Sequence, residues 1–319
     1  MARRRKGDPV HGWLVVDKPA GLTSTQVVSR ARRLLNAAKA GHGGTLDPIA
    51  TGVLPIAFGE ATKTVSYAMD GRKVYRFAVR WGESRDTDDI EGKVTATSDR
   101  RPTRDEIEAM LPRFTGTIVQ TPPAFSAIKV AGERAYDLAR DGETVELAPR
   151  QVRIDELKLI EQPDRDSAIF EATAGKGTYM RALARDFGAF LGVPAHLTAI
   201  RRMAVGPFTL DDAVTLEHLE ALAGEANAES VLLPVATPLD DIPAVALTEA
   251  EAHRMRCGQT VTLLRRSDWE RLQKVSRPAG PDDVEGADPI VLAVLGGTPV
   301  ALARVDGAEL HPVRVLNLA

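Results

Sequence analysis

Apolar and polar residues recur along this chain with two periods, and the period changes from segment to segment. Over residues 73–81, Tyr75, Phe77, Val79 and Trp81 fall on one face of an extended segment and Val74, Arg76, Ala78 and Arg80 on the other, which predicts a strand. Shorter apolar runs predict strands over 12–16, over 53–58 despite Pro55, and over 116–120, 152–160, 168–174 and 198–205. Helical spacing of Val27, Val28, Ala31, Leu34 and Leu35 predicts a helix capped by Thr23 or Ser24 and running to about Asn36. Further helices are predicted over 61–69, over 103–112 with Glu106 in capping-box position, and over 132–141, 178–191 and 215–223. Gly192 ends the fourth of these. Residues 41–52 read as a glycine-rich loop, 82–92 as an acidic loop leading to a strand near 93–97, and 126–130 as extended.

Pro234, Pro238 and Pro243 bracket a change of texture. Beyond it, one helix (248–256) is followed by strand-like runs over 261–264, 290–295, 300–305 and 313–316. Between them, 265–288 is polar and rich in proline and glycine, the pattern of a long loop. The expectation is an α+β chain in two domains, a larger one over 1–241 and a small β-rich one over 242–319.

Charge changes the picture more than composition does. The chain has a net charge of −3, yet residues 1–85 carry 15 Lys/Arg against 6 Asp/Glu. A basic segment on an acidic whole points to a polyanionic partner. A single cysteine, Cys257, excludes an internal disulfide and a thiolate cluster within one chain. The six histidines show no metal-binding spacing, so no metal is expected. No apolar run is long enough to span a membrane and no leader-like segment follows the basic start, so the expected compartment is the cytoplasm.

Three glycine-containing segments could approach an anion. Those at Gly41–His42–Gly43–Gly44 and at Gly59–Glu60–Ala61–Thr62–Lys63 lack the glycines that dinucleotide and Walker loops require. Gly175–Lys176–Gly177–Thr178 opens a helix and offers free N–H groups, which makes an anion site and nothing more. No cofactor is expected. Asp47 in Gly43–Gly44–Thr45–Leu46–Asp47–Pro48 sits beside His42 on a loop that can approach a ligand closely, as a nucleophile or acid/base requires. Read locally, an Asp-Pro turn in which Asp47 bonds its own backbone is the stronger alternative.

The wider pattern reverses that order. Gly12–Trp13–Leu14–Val15–Val16–Asp17–Lys18–Pro19–Ala20–Gly21–Leu22–Thr23–Ser24, the Asp47 segment continued by Ala50–Thr51–Gly52–Val53–Leu54–Pro55, Gly59–Glu60–Ala61–Thr62–Lys63, Lys73–Val74–Tyr75, Gln120–Thr121–Pro122–Pro123–Ala124–Phe125–Ser126–Ala127–Ile128–Lys129, Gly177–Thr178–Tyr179–Met180–Arg181 and His196–Leu197–Thr198–Ala199–Ile200–Arg201–Arg202 occur in this order. Together they resemble the TruB-type tRNA pseudouridine synthases over about residues 12–205.

The resemblance implies the pseudouridine synthase fold, a central mixed or antiparallel sheet flanked by helices and loops. It also implies conversion of the uridine at position 55 in the T-loop of tRNA, without cofactor, on a flipped-out base. By resemblance Asp47 is the nucleophile, and Arg181 is the cation that keeps it ionised as the site closes. The alternative for Arg181 is a surface arginine paired with Asp186. Tyr75 is implied to stack on the target base, the alternative being a core tyrosine. Tyr179 and Ile200 are implied to wall the pocket, Ile200 being equally compatible with plain core, and His42 is implied to take part in flipping or to fill the vacated space. Arg30, Arg32, Arg33, Lys39, Arg201 and Arg202 are candidate phosphate contacts. Residues 242–319 resemble a PUA-type RNA-binding domain that would grip the acceptor arm, although the acidic stretch 265–288 departs from that pattern. The expected enzyme is a monomer that needs no guide RNA.

Overall fold

The computed structural model describes residues 7–126, 129–130, 133–134, 147–263 and 289–318. The first body contains β1 (Gly12–Lys18), α1 (Ser24–Leu34), β2 (Ala40–His42), β3 (Thr51–Phe58), α2 (Val65–Asp70) and β4 (Lys73–Trp81). A hairpin of β5 (Glu83–Arg85) and β6 (Val94–Thr97), then α3 (Arg104–Met110), β7 (Gly116–Gln120) and the short pair β8 (Lys129–Val130) and β9 (Glu133–Arg134) follow. The body closes with β10 (Arg150–Asp164), β11 (Ser167–Ala174), α4 (Met180–Leu191), β12 (Ala195–Val205), β13 (Phe208–Thr209), β14 (Ala213–Val214) and α5 (Leu216–Gly224).

One sheet organises these elements, in the order β14-β1-β3-β12-β4-β11-β10-β7 with β2 on β3 and β13 on β12. Among the described strands of this sheet only β1–β14 and β3–β12 pair in parallel, so the sheet is mixed, as expected. The period-2 pattern explains its two covered faces. In β1, Leu14 and Val16 enter a core with α1 and α5, while Trp13 and Val15 enter another with Phe208. Phe77, Val79 and Trp81 of β4 join α3 and α4 in the largest core, where Phe170 and Phe187 are fully buried. Each such phenyl ring contributes about 1.5–3 kcal/mol by burial.

The differences from the predicted elements have local causes. The helix expected to reach Asn36 ends at Leu34, because Asn36 takes a left-handed conformation (φ 45°). The helix expected over 61–69 begins instead as a 3-10 turn at Gly59–Lys63 and becomes α-helical only in α2. Part of the expected 41–52 loop is the strand β2. Pro55 is tolerated in β3 because the far edge of the strand changes partner there, from β12 at residues 51–52 to β2 at 56–58. The helix expected over 132–141 lies outside the described residues except for Glu133–Arg134, which pair as β9. The long loop expected over 265–288 also lies outside them.

The second body is a five-stranded sheet, β15-β17-β18-β19-β16, built from β15 (Ala244–Ala246), β16 (Val261–Thr262), β17 (Ile290–Leu295), β18 (Thr298–Asp306) and β19 (Glu309–Val315). Helix α5 is followed by α6 (Glu249–Arg256), whose Ala252 and Met255 complete this body's own core. The chain then returns to the first body. Leu316 packs with Trp13 and Phe208, Lys63 Nζ donates to Val315 O (2.7 Å), and Asn317 N donates to Glu60 Oε2 (2.8 Å).

Candidate active site

The Asp47 loop is held on both sides by side chains from three elements. Ahead of Asp47, the buried Ser24 at the start of α1 exchanges two hydrogen bonds with Leu46: its Oγ donates to Leu46 O (3.0 Å) and accepts from Leu46 N (2.8 Å). After Asp47, the Lys18 ammonium at the end of β1 donates to Pro48 O (3.2 Å), Ala50 O (2.7 Å) and Pro19 O (2.9 Å). Beneath the loop, the buried Arg202 guanidinium of β12 donates to Gly44 O (3.1 Å), Thr45 O (3.4 Å) and Val53 O (2.8 Å). Gly52 lets the chain pass this close: a Cβ there would lie 2.2 Å from Arg202 O, and its φ is +96°.

Burial sets the state of the flanking groups. Desolvation, partly offset by Asp47 and reinforced by Arg202, brings the Lys18 ammonium down to about 8. Burial, with Arg202 next, also lowers His42 below the ordinary imidazole value. His42 Nδ1 is buried without a hydrogen-bond partner among the described residues.

Asp47 itself is left projecting, its side chain 41% exposed. Its backbone closes the turn by accepting from Ala50 N (3.0 Å), but its carboxylate is directed across the site to Arg181. Arg181 Nε donates to Asp47 Oδ2 at 3.0 Å, from a side chain only 6% exposed. The rest of that guanidinium is fixed: Nη1 donates to Thr87 O (3.2 Å) and Nη2 to Phe125 O (2.8 Å). Asp89, also buried, brings Oδ2 to 3.5 Å from Arg181 Nε, while its Oδ1 accepts from Thr87 Oγ1 (2.7 Å) and Glu91 N (3.0 Å). The alternative partner for Arg181 is excluded, since Asp186 pairs with Arg185.

Tyr75 of β4 and Ile200 of β12 are half-buried, and each packs against both major cores, so they line the seam between them. Tyr75 stands opposite Arg202, and Ile200 opposite Phe77. Tyr179, just before α4, is held from the far side of the sheet. The Gln120 amide donates to Tyr179 O (3.2 Å) and accepts from Tyr179 N (2.8 Å), and the Arg150 guanidinium lies 5.2 Å from its ring centroid. The structure thus joins Asp47 directly to Arg181 and puts Tyr75 with Ile200. It sets His42 beside Arg202, and it ties Tyr179 to Gln120 and Arg150.

One predicted contact is corrected. Arg202, expected to touch phosphate, is 1% exposed and holds the Asp47 loop from inside. Arg30 pairs with Glu220 and Arg201 bidentately with Asp17, whereas Arg33 and Lys39 are exposed. Sequence reasoning missed Asp89, Lys18, Ser24 and Gln120. For Asp89 a signal existed: a run of acids at 86–91 directly after the basic segment 1–85. Among the described residues, no cluster of three or more His, Cys, Asp or Glu could hold a metal ion, and no helix is long and apolar enough to cross a membrane.

A family model described as TruB family pseudouridylate synthase (N terminal domain) matches residues 32–180, and one described as tRNA pseudouridylate synthase B C-terminal domain matches residues 181–242. A tRNA pseudouridine synthase B of Bradyrhizobium diazoefficiens is 56% identical, covering 99% of this chain and 88% of its own length. The chain belongs to the TruB family of pseudouridylate synthases. A tRNA pseudouridine synthase B of Rhodospirillum rubrum is 53% identical over the whole of both chains. Among solved structures, a chain of a Cbf5-Nop10-Gar1 complex superposes with a TM-score of 0.72 at 23% identity, covering 96% of this chain and 85% of its own. At that identity the likeness shows the fold, which this TruB-family chain shares.

Proposed function

We propose that this chain isomerises the uridine at position 55 in the T-loop of tRNA to pseudouridine, with Asp47 as the nucleophile. The observation that carries the reading is the single charge-assisted hydrogen bond from a buried, immobilised Arg181 to a half-exposed Asp47. Among the described residues only Oδ2 is engaged, so the other carboxylate oxygen can face a substrate. The loop cannot drift, because its carbonyls are bound by Lys18 and Arg202 and Leu46 by Ser24. This is the preorganisation an attacking group needs.

The reaction breaks the N1–C1′ bond, rotates the base and forms a C5–C1′ bond, while N1 gains a proton and C5 loses one. It consumes no oxidant or energy source. A uridine stacked in a folded loop must leave the stack before Asp47 can reach it. Tyr75 then stacks on the extruded base, with Ile200 and Tyr179 as further walls and His42, which burial holds below the ordinary imidazole value, near the vacated position. Exposed Arg33 and Lys39 serve the phosphates.

In the same reading, residues 242–319 form a PUA-like domain for the acceptor arm, supported by the separate β-rich core of that body. The chain acts in the cytoplasm as a monomer and without a guide RNA. The test uses the purified chain alone and a naked T-arm stem-loop. Pseudouridine is expected with the parent and none with Asp47→Asn. Product at the parental rate from Asp47→Asn would remove Asp47 from the mechanism, and a parent active only with an added RNA would overturn the guide-free reading.

A further inference from the structure

We propose that Arg185 is a positioning residue for this reaction: with Arg181, one helical turn earlier, it clamps residues 82–92 and 121–125 onto α4 and so fixes the frame in which Arg181 meets Asp47. The inference rests on the pseudouridine synthase reading for its rate, and on geometry for the clamp itself.

Four residues apart on a helix, Arg181 and Arg185 share one face. Arg181 reaches Thr87 O with Nη1 and Phe125 O with Nη2. Arg185 repeats the arrangement next door: Nη1 donates to Asp88 Oδ2 (2.9 Å) and Nη2 to Thr121 O (2.8 Å). Each guanidinium therefore joins one residue of the acidic loop to one residue of the segment after β7. The third donor differs. Nε of Arg181 goes to Asp47, whereas Nε of Arg185 is held by Asp186 Oδ1 (2.9 Å). The inner arginine serves the reacting carboxylate and the outer one is purely a brace.

The acidic loop is bent to suit this. Asp88 has φ 61°, a left-handed conformation that a non-glycine residue keeps only when its surroundings hold it. Here Asp88 N donates to Arg85 O (3.1 Å) and Asp88 O accepts from Leu197 N of β12 (3.0 Å). The consequence of the turn is that consecutive carboxylates, Asp88 and Asp89, face successive guanidiniums, Arg185 and Arg181.

The Asp88 side chain is 13% exposed. Burial pushes its carboxyl up to about 6, against the pull of Arg185 and Arg181 and with Asp186 opposing ionisation. These are the charges that face it from α4. On its own loop the adjacent acid is Asp89, and from β12 the neighbouring His196 turns away to Glu83 O. Below about pH 6 the outer clamp loses the charge on Asp88, so the frame loosens in mild acid.

The full chain is assayed under single-turnover conditions on a saturating T-arm stem-loop, as parent, Arg185→Gln, Arg185→Lys and Asp88→Asn, with amide hydrogen exchange on each. Arg185→Gln is expected to slow pseudouridine formation by roughly 10- to 100-fold, the scale of a misplaced reacting group, without weakening RNA binding. Arg185→Lys recovers part of the rate, and Asp88→Asn abolishes the acid limb that the parent shows near pH 6. Exchange protection falls jointly at 82–92 and 121–125 in Arg185→Gln while β4 and β11 keep theirs. A parental rate in Arg185→Gln, or protection lost evenly over the whole chain, overturns the proposal. If the parent makes no pseudouridine, the functional reading fails on its own, and the exchange pattern alone decides whether the clamp exists.

Discussion

Arg181 and Asp47, 134 residues apart in the chain, meet at 3.0 Å from opposite environments: the guanidinium is buried and the carboxylate is half open to solvent. The two ends of this ion pair therefore fail differently. Asp47→Asn leaves Arg181 its carbonyl partners and Asp89, so the fold holds while turnover falls by roughly three orders of magnitude or more, as for other nucleophile deletions. Arg181→Met strands the buried Asp89 without its cation and should cost about 3–5 kcal/mol of stability as well as activity. Urea unfolding of both variants checks this; equal destabilisation would contradict the asymmetry.

Tyr75 touches both cores yet remains half-exposed, so its packing and its proposed stacking role separate by substitution. Tyr75→Phe keeps the ring and is expected to retain RNA binding at saturating stack strength. If Tyr75 stacks on the base as proposed, Tyr75→Leu is expected to lose about 1–3 kcal/mol of stacking, read as weaker capture of the flipped base in single-turnover titrations with T-arm RNA. Equal capture by the Leu and Phe variants would remove the stacking role.

The arginines expected to contact phosphate divide by exposure. Arg33→Ala should reduce the slope of log affinity against log salt by about one unit, as for the loss of one phosphate contact. Arg202→Met should leave that slope unchanged and instead loosen the Asp47 loop, lowering the melting temperature and the rate together. Filter binding across a salt series distinguishes the two; a slope change in Arg202→Met would mean that it reaches phosphate after all.

Lys73 is buried, and its ammonium donates to Met69 O. Burial first, then repulsion from Arg202, brings it down from 10.5 to about 8. Between those values the unfolded chain holds a proton that the folded chain has released, so unfolding becomes harder as pH rises through this window. Parent and Lys73→Met should therefore diverge between about pH 8 and pH 10, the parent gaining up to about 2 kcal/mol more. Denaturant titrations at both ends measure the divergence, and parallel behaviour would refute it.

Much of this was legible beforehand for physical reasons. Alternation in β4 and helical spacing in α1 are short-range signals, and Thr23, Thr103 and Thr248 cap their helices through local hydrogen bonds. The Asp47 and Arg181 assignments came through ordered motifs, and the structure brings these two residues together. What stayed hidden is non-local. Nothing near Asp89 in the sequence shows that its partner lies on α4, and nothing near Arg202 shows that the loop above it removes it from solvent. The strand at β2 was missed because three residues are too few for a period.

The end of the chain gives the molecule a second tie. The small β-rich body leaves the first through residues 240–243 and returns to it through Val315, Leu316 and Asn317, which close onto Lys63, Trp13 and Glu60. A second anchorage point restrains the swing that one hinge would allow. The small sheet is thus held to the larger body at two places along the chain, by residues 240–243 and by residues 315–317.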